Sequence, residues 1–481
     1  MITKTLVKSL QKQHNHILAA VSGGPDSLVL LHGLHSLGVK VSAAHYDHQI
    51  RPGSASEADF VKDFCLLLGV KCYLGRGNVP RAAREMGMSL EEAARSLRYQ
   101  FLFQTAAELK VDGVATGHHA DDQVETILMN LLRGAGPAGL SGMQPHWLPN
   151  PWSREIPLIR PLLSIWKTDI LEYANRHDLD SLQDPSNRDP SFQRNRIRHQ
   201  LLPLLEEYNP AVKAHLFHTG EVLREENRLL DELAARQAKE CLRRLAGRAV
   251  SVDRGSFRGL PLALQRRLIR KVFIDLTPGE REISYDHVEQ AVFFIVEKNA
   301  AGQENWLGKL NLISLPDEVI IADWESEIII DRFPQLKRAG ELTILPPAEV
   351  PLSNEWSLRV ELLRPGKLSA GRPPEKTAPY QAWLAGRTAA GGLTLRTRQP
   401  GDRIQPLGMG GKSIKVADLM INEKIPAQAR KNWPLILSGE EIIWIPGLRI
   451  SEQAKIETDS SQVCRMKIYR KENSEEDDYS G

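Results

Sequence analysis

Asp26 stands inside the stretch SGGPDS, residues 22–27, where its charge needs explaining. Gly23 and Gly24 permit positive φ and close backbone approach. Pro25 suits a first helical turn, which needs no N–H there. Ser22 and Ser27 add hydroxyls. Apolar residues 16–21 precede the stretch and apolar residues 28–34 follow it. The whole reads as strand, turn and helix N-terminus, an arrangement whose N–H groups and dipole attract anions. With no Gly-Lys-Ser/Thr it is not a Walker A loop, and it is not G-x-G-x-x-G either. A carboxylate among phosphates makes sense if a divalent cation lies between them, since Mg²⁺ commonly takes one or two carboxylates plus phosphate oxygens. Asp26 therefore predicts a metal and a second carboxylate. The plainer alternative is a tight turn with Asp26 as a helix-start residue.

The second carboxylate is expected in GHHADDQVET, residues 117–126. A strand should end near Thr116 and a helix start near Asp121. Asp121 or Asp122 would serve as an N-cap, with Glu125 in a capping-box-like position. The crowding of His118, His119, Asp122 and Glu125 into one turn exceeds what a cap needs. Asp122 is the expected partner of Asp26 on the metal. His118 could donate to phosphate or to a developing oxyanion.

These residues need a frame. Through about residue 130, strand-like and helix-like runs alternate, which argues for an α/β fold with a doubly wound parallel sheet. Ligands in such sheets sit at the carboxyl ends of strands, where both motifs fall. A surface or active-site loop, rich in Gly and Pro, is expected over residues 135–157. From about residue 211 the rhythm changes to a long charged helix, then to short strand-like segments. Residues 364–392 look like a linker or long loop. The expected domains are 1–210, a mainly helical or mixed middle at 211–375, a small α+β domain at 390–470, and a disordered acidic tail at 471–481.

Composition sets outer limits. The 481 residues suffice for two to four domains, and 42% hydrophobic with 25% charged is ordinary for a globular chain. No apolar run reaches membrane-spanning length, and the N-terminus lacks a signal-peptide core. Four scattered cysteines without a CxxC pair argue for a reducing cytoplasm and against structural zinc. The formal net charge of +2 announces no nucleic-acid partner, so local patches matter more. The densest runs from Leu393 to Lys431, with eight Arg/Lys against three acids, including Arg396, Arg398, Arg403, Lys412 and Lys415. That suits contact with an RNA backbone, or a solvated rim.

SGGPDS matches the SGGxDS loop of the N-type ATP pyrophosphatases. ARSLRY, GHHADDQVET, RGAGPAGLSGM, RPLL, DPSN and RNRIRHQLLPLL follow in order. Together they resemble the bacterial tRNA(Ile)-lysidine synthetases over nearly all of residues 15–210. The segment RTRQPGDRIQPLGMGGKSIKVADLMINEKIP resembles that family's C-terminal domain. The resemblance implies an enzyme, a ligase that cleaves ATP to AMP and pyrophosphate. It adenylates the wobble cytidine of a tRNA(Ile) with a CAU anticodon at its C2 carbonyl oxygen. L-lysine then displaces AMP, giving lysidine and shifting codon reading from AUG to AUA. Residues 22–27 would hold the pyrophosphate portion, and Asp26 with Asp122 would hold Mg²⁺.

Arg95 and Arg98 share a helix face, and Arg188, Arg194, Arg196 and Arg198 crowd against a single acid, Asp189. Phosphate contact, with ATP or the anticodon loop, competes with surface pairing or a solvated basic face. Arg194 joins Asp26, His118 and Asp122 as a catalytic candidate. Glu125 is a candidate for the lysine amine. A homodimer stays open. Rivals are a tRNA thiolation enzyme, an amidotransferase synthetase and a nucleotide-binding RNA chaperone. Paired cysteines and a glutaminase signature are missing, and binding alone needs no extra carboxylates.

Overall fold

The computed structural model describes residues 2–9, 15–49, 54–182, 189, 192–245, 247–278, 283–298, 302–326, 329–330, 332–337, 340–353, 355–364, 378–457 and 462–470. The expected acidic tail and Arg188 lie outside them. The chain divides into two compact units, Met1–Leu230 and Asp231–Gly481. No helix among the described residues is long and apolar enough to cross a membrane.

The first unit runs α1 (Ile2–Ser9), β1 (His16–Ala20), α2 (Pro25–Ser36), β2 (Lys40–Asp47), α3 (Ser54–Leu67), β3 (Cys72–Arg76), α4 (Val79–Met86), α5 (Leu90–Leu109), β4 (Gly113–Ala115) and α6 (Ala120–Leu132). Then come α7 (Pro137–Leu140), β5 (His146–Trp147), β6 (Leu158–Ile159), α8 (Lys167–Arg176), α9 (Gln193–Arg196), a π turn (Ile197–Leu201), α10 (Leu202–Tyr208) and the start of α11 (Val212–Cys241). Six strands form one sheet in the order β3-β2-β1-β4-β6-β5, parallel except for β5.

Alternation along each strand builds two apolar layers. Ile17, Ala19, Ala43, Ala115 and Ile159 pack with residues of α1, α2, α3 and α8. Their neighbours Leu18, Ala44, Val114 and Leu158 pack with Tyr99, Leu102, Phe103 and Ala106 of α5 on the other face. Chain order reverses between β1 and β4. Their carboxyl ends thus open the crevice where doubly wound sheets bind ligands.

In the second unit β7 (Leu242–Leu245) and β8 (Ala249–Asp253) precede α12 (Arg254–Arg258), α13 (Leu262–Leu276) and α14 (Tyr285–Glu297). With β9 (Gly302–Asn305), β10 (Leu310–Ser314) and β11 (Glu318–Asp323) they complete an antiparallel sheet ordered β7-β8-β11-β10-β9. The long charged helix expected after residue 211 ends at Cys241, and the chain turns into β7.

Further strands are β12 (Glu341–Ile344), β13 (Ala348–Pro351), β14 (Trp356–Leu363), β15 (Gln381–Ala385), β16 (Leu393–Thr397), β17 (Arg403–Ile404), β18 (Ile414–Lys415), β19 (Pro434–Ser438), β20 (Glu441–Ile445), β21 (Arg449–Ile450) and β22 (Val463–Arg470). They form sheets β12-β16-β19-β20-β21, β13-β14-β22-β15 and β17-β18. β15 corrects the linker expected at 364–392, of which residues 365–377 lie outside the described set. Ala382 and Leu384 are wholly buried, a two-residue period masked by the surrounding Gly, Ala and Pro.

Candidate active site at the sheet switch point

The 22–27 loop leaves β1 through Gly23, whose φ of +85° favours glycine. Ser27 Oγ accepts from the Ser22 N–H at 3.1 Å and donates to the Gly24 carbonyl at 2.9 Å. Gly24 caps α2 without a side-chain hydrogen bond, and Pro25 opens the helix. The start of α2 thus has no side-chain cap of its own, as an anion site requires. Gly117, at the end of β4, fits against this loop. A Cβ there would come within 3.1 Å of the Asp26 backbone.

That approach brings the two acidic motifs together. His119 is buried at the start of α6, and its N–H donates to Asp122 Oδ2 at 3.0 Å. Its Nε2 lies 3.5 Å from Asp122 Oδ2 and 3.8 Å from Asp26 Oδ1. Asp26 and Asp122 therefore flank one imidazole nitrogen. Asp121 instead accepts the backbone N–H of Lys167 at 2.9 Å, capping α8.

Each carboxylate of the pair has a cationic partner. Lys167 Nζ donates to Asp26 Oδ1 at 2.5 Å. Arg194 and Arg198, one turn apart, both reach Asp122 Oδ1, at 3.0 and 3.3 Å. Glu125, one turn after Asp122, is 1% exposed and takes Arg194 Nε at 2.7 Å and Arg198 Nε at 2.6 Å. Its carboxylate is spent on positioning these arginines rather than open to a substrate amine. Burial tends to lower both guanidinium pKa values, but Asp122 and Glu125 raise them further. Ile197 and Leu202 pack against Ala120, Val124 and Leu128, docking the π turn on α6. Arg196 is exposed.

Burial works to raise the Asp122 pKa, yet His119, Arg194, His118 and the His119 N–H hold it down to about 2. His118 contacts Thr116 Oγ1 through Nδ1 at 2.8 Å. Burial, aided by Arg160, Arg194 and Arg98 against Asp122, lowers its pKa well below 6.5, so the ring is neutral near pH 7. In the tautomer in which Thr116 donates to Nδ1, Nε2 carries the proton and is a donor.

A second cationic group gathers near His118. Arg95 and Arg98 lie over the Tyr99 ring at 4.9 and 5.3 Å from its centroid. Arg160, the first residue after β6, is 3% exposed and lies over Trp147 at 5.7 Å. Burial brings its pKa down to about 10. Among the described residues none of these three arginines pairs with a carboxylate, and Arg160 Nε has no hydrogen-bond partner. Arg160 is the buried one of the three, with Arg98 half-buried and Arg95 exposed, and its Nη1 donates to the Gln144 carbonyl at 2.5 Å. A buried cation without a counter-charge is costly and suits an anion. Neither Lys167 nor Arg160 was singled out from sequence. For Arg160 the signal was its place at a strand end within RPLL.

The basic stretch of the second unit splits. Arg396 is buried and donates to Asp402 at 2.7 and 2.9 Å, so it belongs to the interior rather than to the expected RNA-facing patch. Arg403 and Lys415 are exposed and oppose each other across β17 and β18. Like charges in that register repel unless something anionic lies over them. Lys412 is exposed nearby, and Arg398 is half-buried.

A glycine loop, an uncapped helix start and facing carboxylates at a sheet's switch point define a nucleotide-binding domain of the PP-loop class. The PP-loop domain family matches residues 2–205, and the TilS substrate C-terminal domain family matches residues 393–468. The tRNA(Ile)-lysidine synthase of Geobacter sulfurreducens is 34% identical, covering 94% of this chain and 93% of its own. That of Dehalococcoides mccartyi is 33% identical over 97% and 99%. That of Bacillus subtilis is 32% identical over 92% and 93%. The chain belongs to the tRNA(Ile)-lysidine synthase family.

Proposed function

We propose that this chain is an ATP-dependent ligase that joins lysine to the wobble cytidine of a CAU-anticodon tRNA(Ile), through the residues of the β1/β4 crevice. The carrying observation is the convergence of the uncapped α2 start, Asp26 and Asp122 around His119 Nε2. The backbone of residues 22–27 holds the pyrophosphate half of ATP. The cytidine C2 oxygen attacks the α-phosphorus and pyrophosphate leaves. The lysine amine then attacks C2, and AMP departs.

Two carboxylates within 4 Å of one nitrogen suit a shared cation once Lys167 moves aside, so Asp26 and Asp122 would hold Mg²⁺. Bound there, it would neutralise charge on the departing pyrophosphate. Asp122 accepts from Arg194 and Arg198 and fixes them beside the phosphates. Neutral His118 donates a hydrogen bond to the oxygen that gains charge. Arg95, Arg98 and Arg160 meet an anion of ATP or of the anticodon backbone. In the second unit Arg398, Arg403, Lys412 and Lys415 contact tRNA phosphates, which give affinity without reading sequence.

The test incubates the chain with ATP, lysine and a CAU-anticodon tRNA(Ile) transcript. Mass spectrometry should find lysine on the wobble cytidine, with AMP and pyrophosphate released. With lysine omitted, pyrophosphate release should persist. Release that depends wholly on lysine would refute the two-step order, and an unmodified cytidine would refute the reading itself.

A further inference from the structure

Away from the crevice, Cys65 and Cys72 meet. Cys65 lies near the end of α3 and is wholly buried, while Cys72 opens the edge strand β3 and is half-buried. The chain between them reverses through Gly69 at φ +68°, and the Val70 N–H returns to the Cys65 carbonyl at 2.8 Å. This turn folds the two side chains onto the same apolar cluster. Their thiols lie close enough to influence each other's ionisation.

We propose that Cys65 and Cys72 are a redox-modification site, forming a reversible intramolecular disulfide on contact with hydrogen peroxide. Cys72 attacks first, because it is the half-buried member of the pair while Cys65 is wholly buried. Its neighbour Cys65, and Lys62 on α3, favour the Cys72 thiolate against burial. Cys65 acts second. The pairing of an accessible, thiolate-favoured cysteine with a neighbouring thiol is the arrangement of redox-responsive sites.

The chemistry balances. The Cys72 thiolate attacks one peroxide oxygen, the O–O bond breaks, and hydroxide leaves and is protonated to water. The sulfur of Cys65 then attacks the Cys72 sulfenic acid. An S–S bond forms, the S–O bond breaks, and the Cys65 proton leaves with the hydroxyl as a second water. Two thiols are oxidised and one peroxide is reduced. A dithiol reverses the step by exchange. The bond would tie α3 to β3 across the short turn at Gly69.

The experiment treats the full-length protein with a small excess of hydrogen peroxide, then alkylates, digests and reads peptides by mass spectrometry, with and without dithiothreitol. The expected product joins the Cys65 and Cys72 peptides with loss of two hydrogens, and dithiothreitol restores both thiols. Cys241 and Cys464, both buried, serve as internal controls that stay reduced. In Cys65→Ala, a sulfenic acid should persist on Cys72 and be trapped by dimedone. In Cys72→Ser, Cys65 should stay unmodified. The peptide map of the parent decides even if a variant fails to fold. A Cys72 that reaches sulfinic acid while Cys65 stays free, a linkage between two chains, or no reaction at either thiol overturns the proposal.

Discussion

Lys167 Nζ sits 2.5 Å from Asp26 Oδ1, joining the first residue of α8 to the first turn of α2. The two residues are 141 positions apart in sequence. An ammonium thus occupies an oxygen of the carboxylate proposed to hold the cation. On that proposal, a bound nucleotide would compete with Asp26 for Lys167.

Lys167→Met is therefore expected to raise the KM for ATP about 10-fold, the worth of one charge-assisted contact. Steady-state AMP formation across an ATP series measures it. If Lys167 only competes with the metal, the variant will instead need less Mg²⁺ at an unchanged ATP KM.

Asp26→Asn and Asp122→Asn should each cut AMP formation by about 100-fold or more, by loss of metal ligation. Their stabilities should differ. Asp26 is 30% exposed, whereas Asp122 is 13% exposed and holds His119, Arg194 and Arg198. Thermal melts should show Asp122→Asn as the less stable, by about 1–3 kcal/mol. Parent-level AMP formation by either variant in Mg²⁺ would end the metal assignment.

Glu125→Gln separates positioning from substrate binding. It leaves Arg194 and Arg198 short of a buried anion, at a cost of about 2–4 kcal/mol once their partial exposure is allowed for. Denaturant unfolding measures this. A residue that only greeted the lysine amine would leave stability unchanged and raise the KM for lysine alone.

Acid should loosen the first unit through its histidines. Burial, Arg98 and His45 lower His48 from 6.5 to about 4 against Asp47, and His118 also falls well below 6.5. A lowered folded pKa means the unfolded chain binds more protons in between, so stability is whole above about 6.5 and is lost as pH falls toward 4. Melting temperatures across that range should drop for the parent and drop less for His48→Gln. Parallel profiles would show that His48 makes no such contribution.

In the second unit, Arg403→Glu with Lys415→Glu should make the salt dependence of tRNA affinity shallower by about 2 in log–log slope. Arg396→Ala should leave that slope alone and cost about 3 kcal/mol of stability, because it strands Asp402 in the interior. Binding across a salt series, beside melts of the same proteins, distinguishes them. A slope that responds to Arg396 and ignores the other two would reverse the assignment.

Local order in the chain was enough to locate the crevice. Strand and helix periodicities specify the βαβ units, and the two motifs directly after β1 and β4 must lie at carboxyl strand ends. The convergence of Asp26 and Asp122 was legible because a carboxylate in a phosphate loop demands a counter-charge and a partner. Partner choice was not legible, because it depends on which side chains meet across long sequence separations. Arg194 and Arg198 read as free phosphate grips, yet the π turn docked on α6 locks them to Asp122 and Glu125. Arg396 read as surface charge, yet β16 turns it inward onto Asp402. Lys167 and Arg160 were ordinary basic residues until the sheet order placed one on Asp26 and buried the other without an acid. Residue type and local spacing determine which groups can do chemistry, and tertiary packing, which sets distance and desolvation, decides which charges are already neutralised and which still need a ligand.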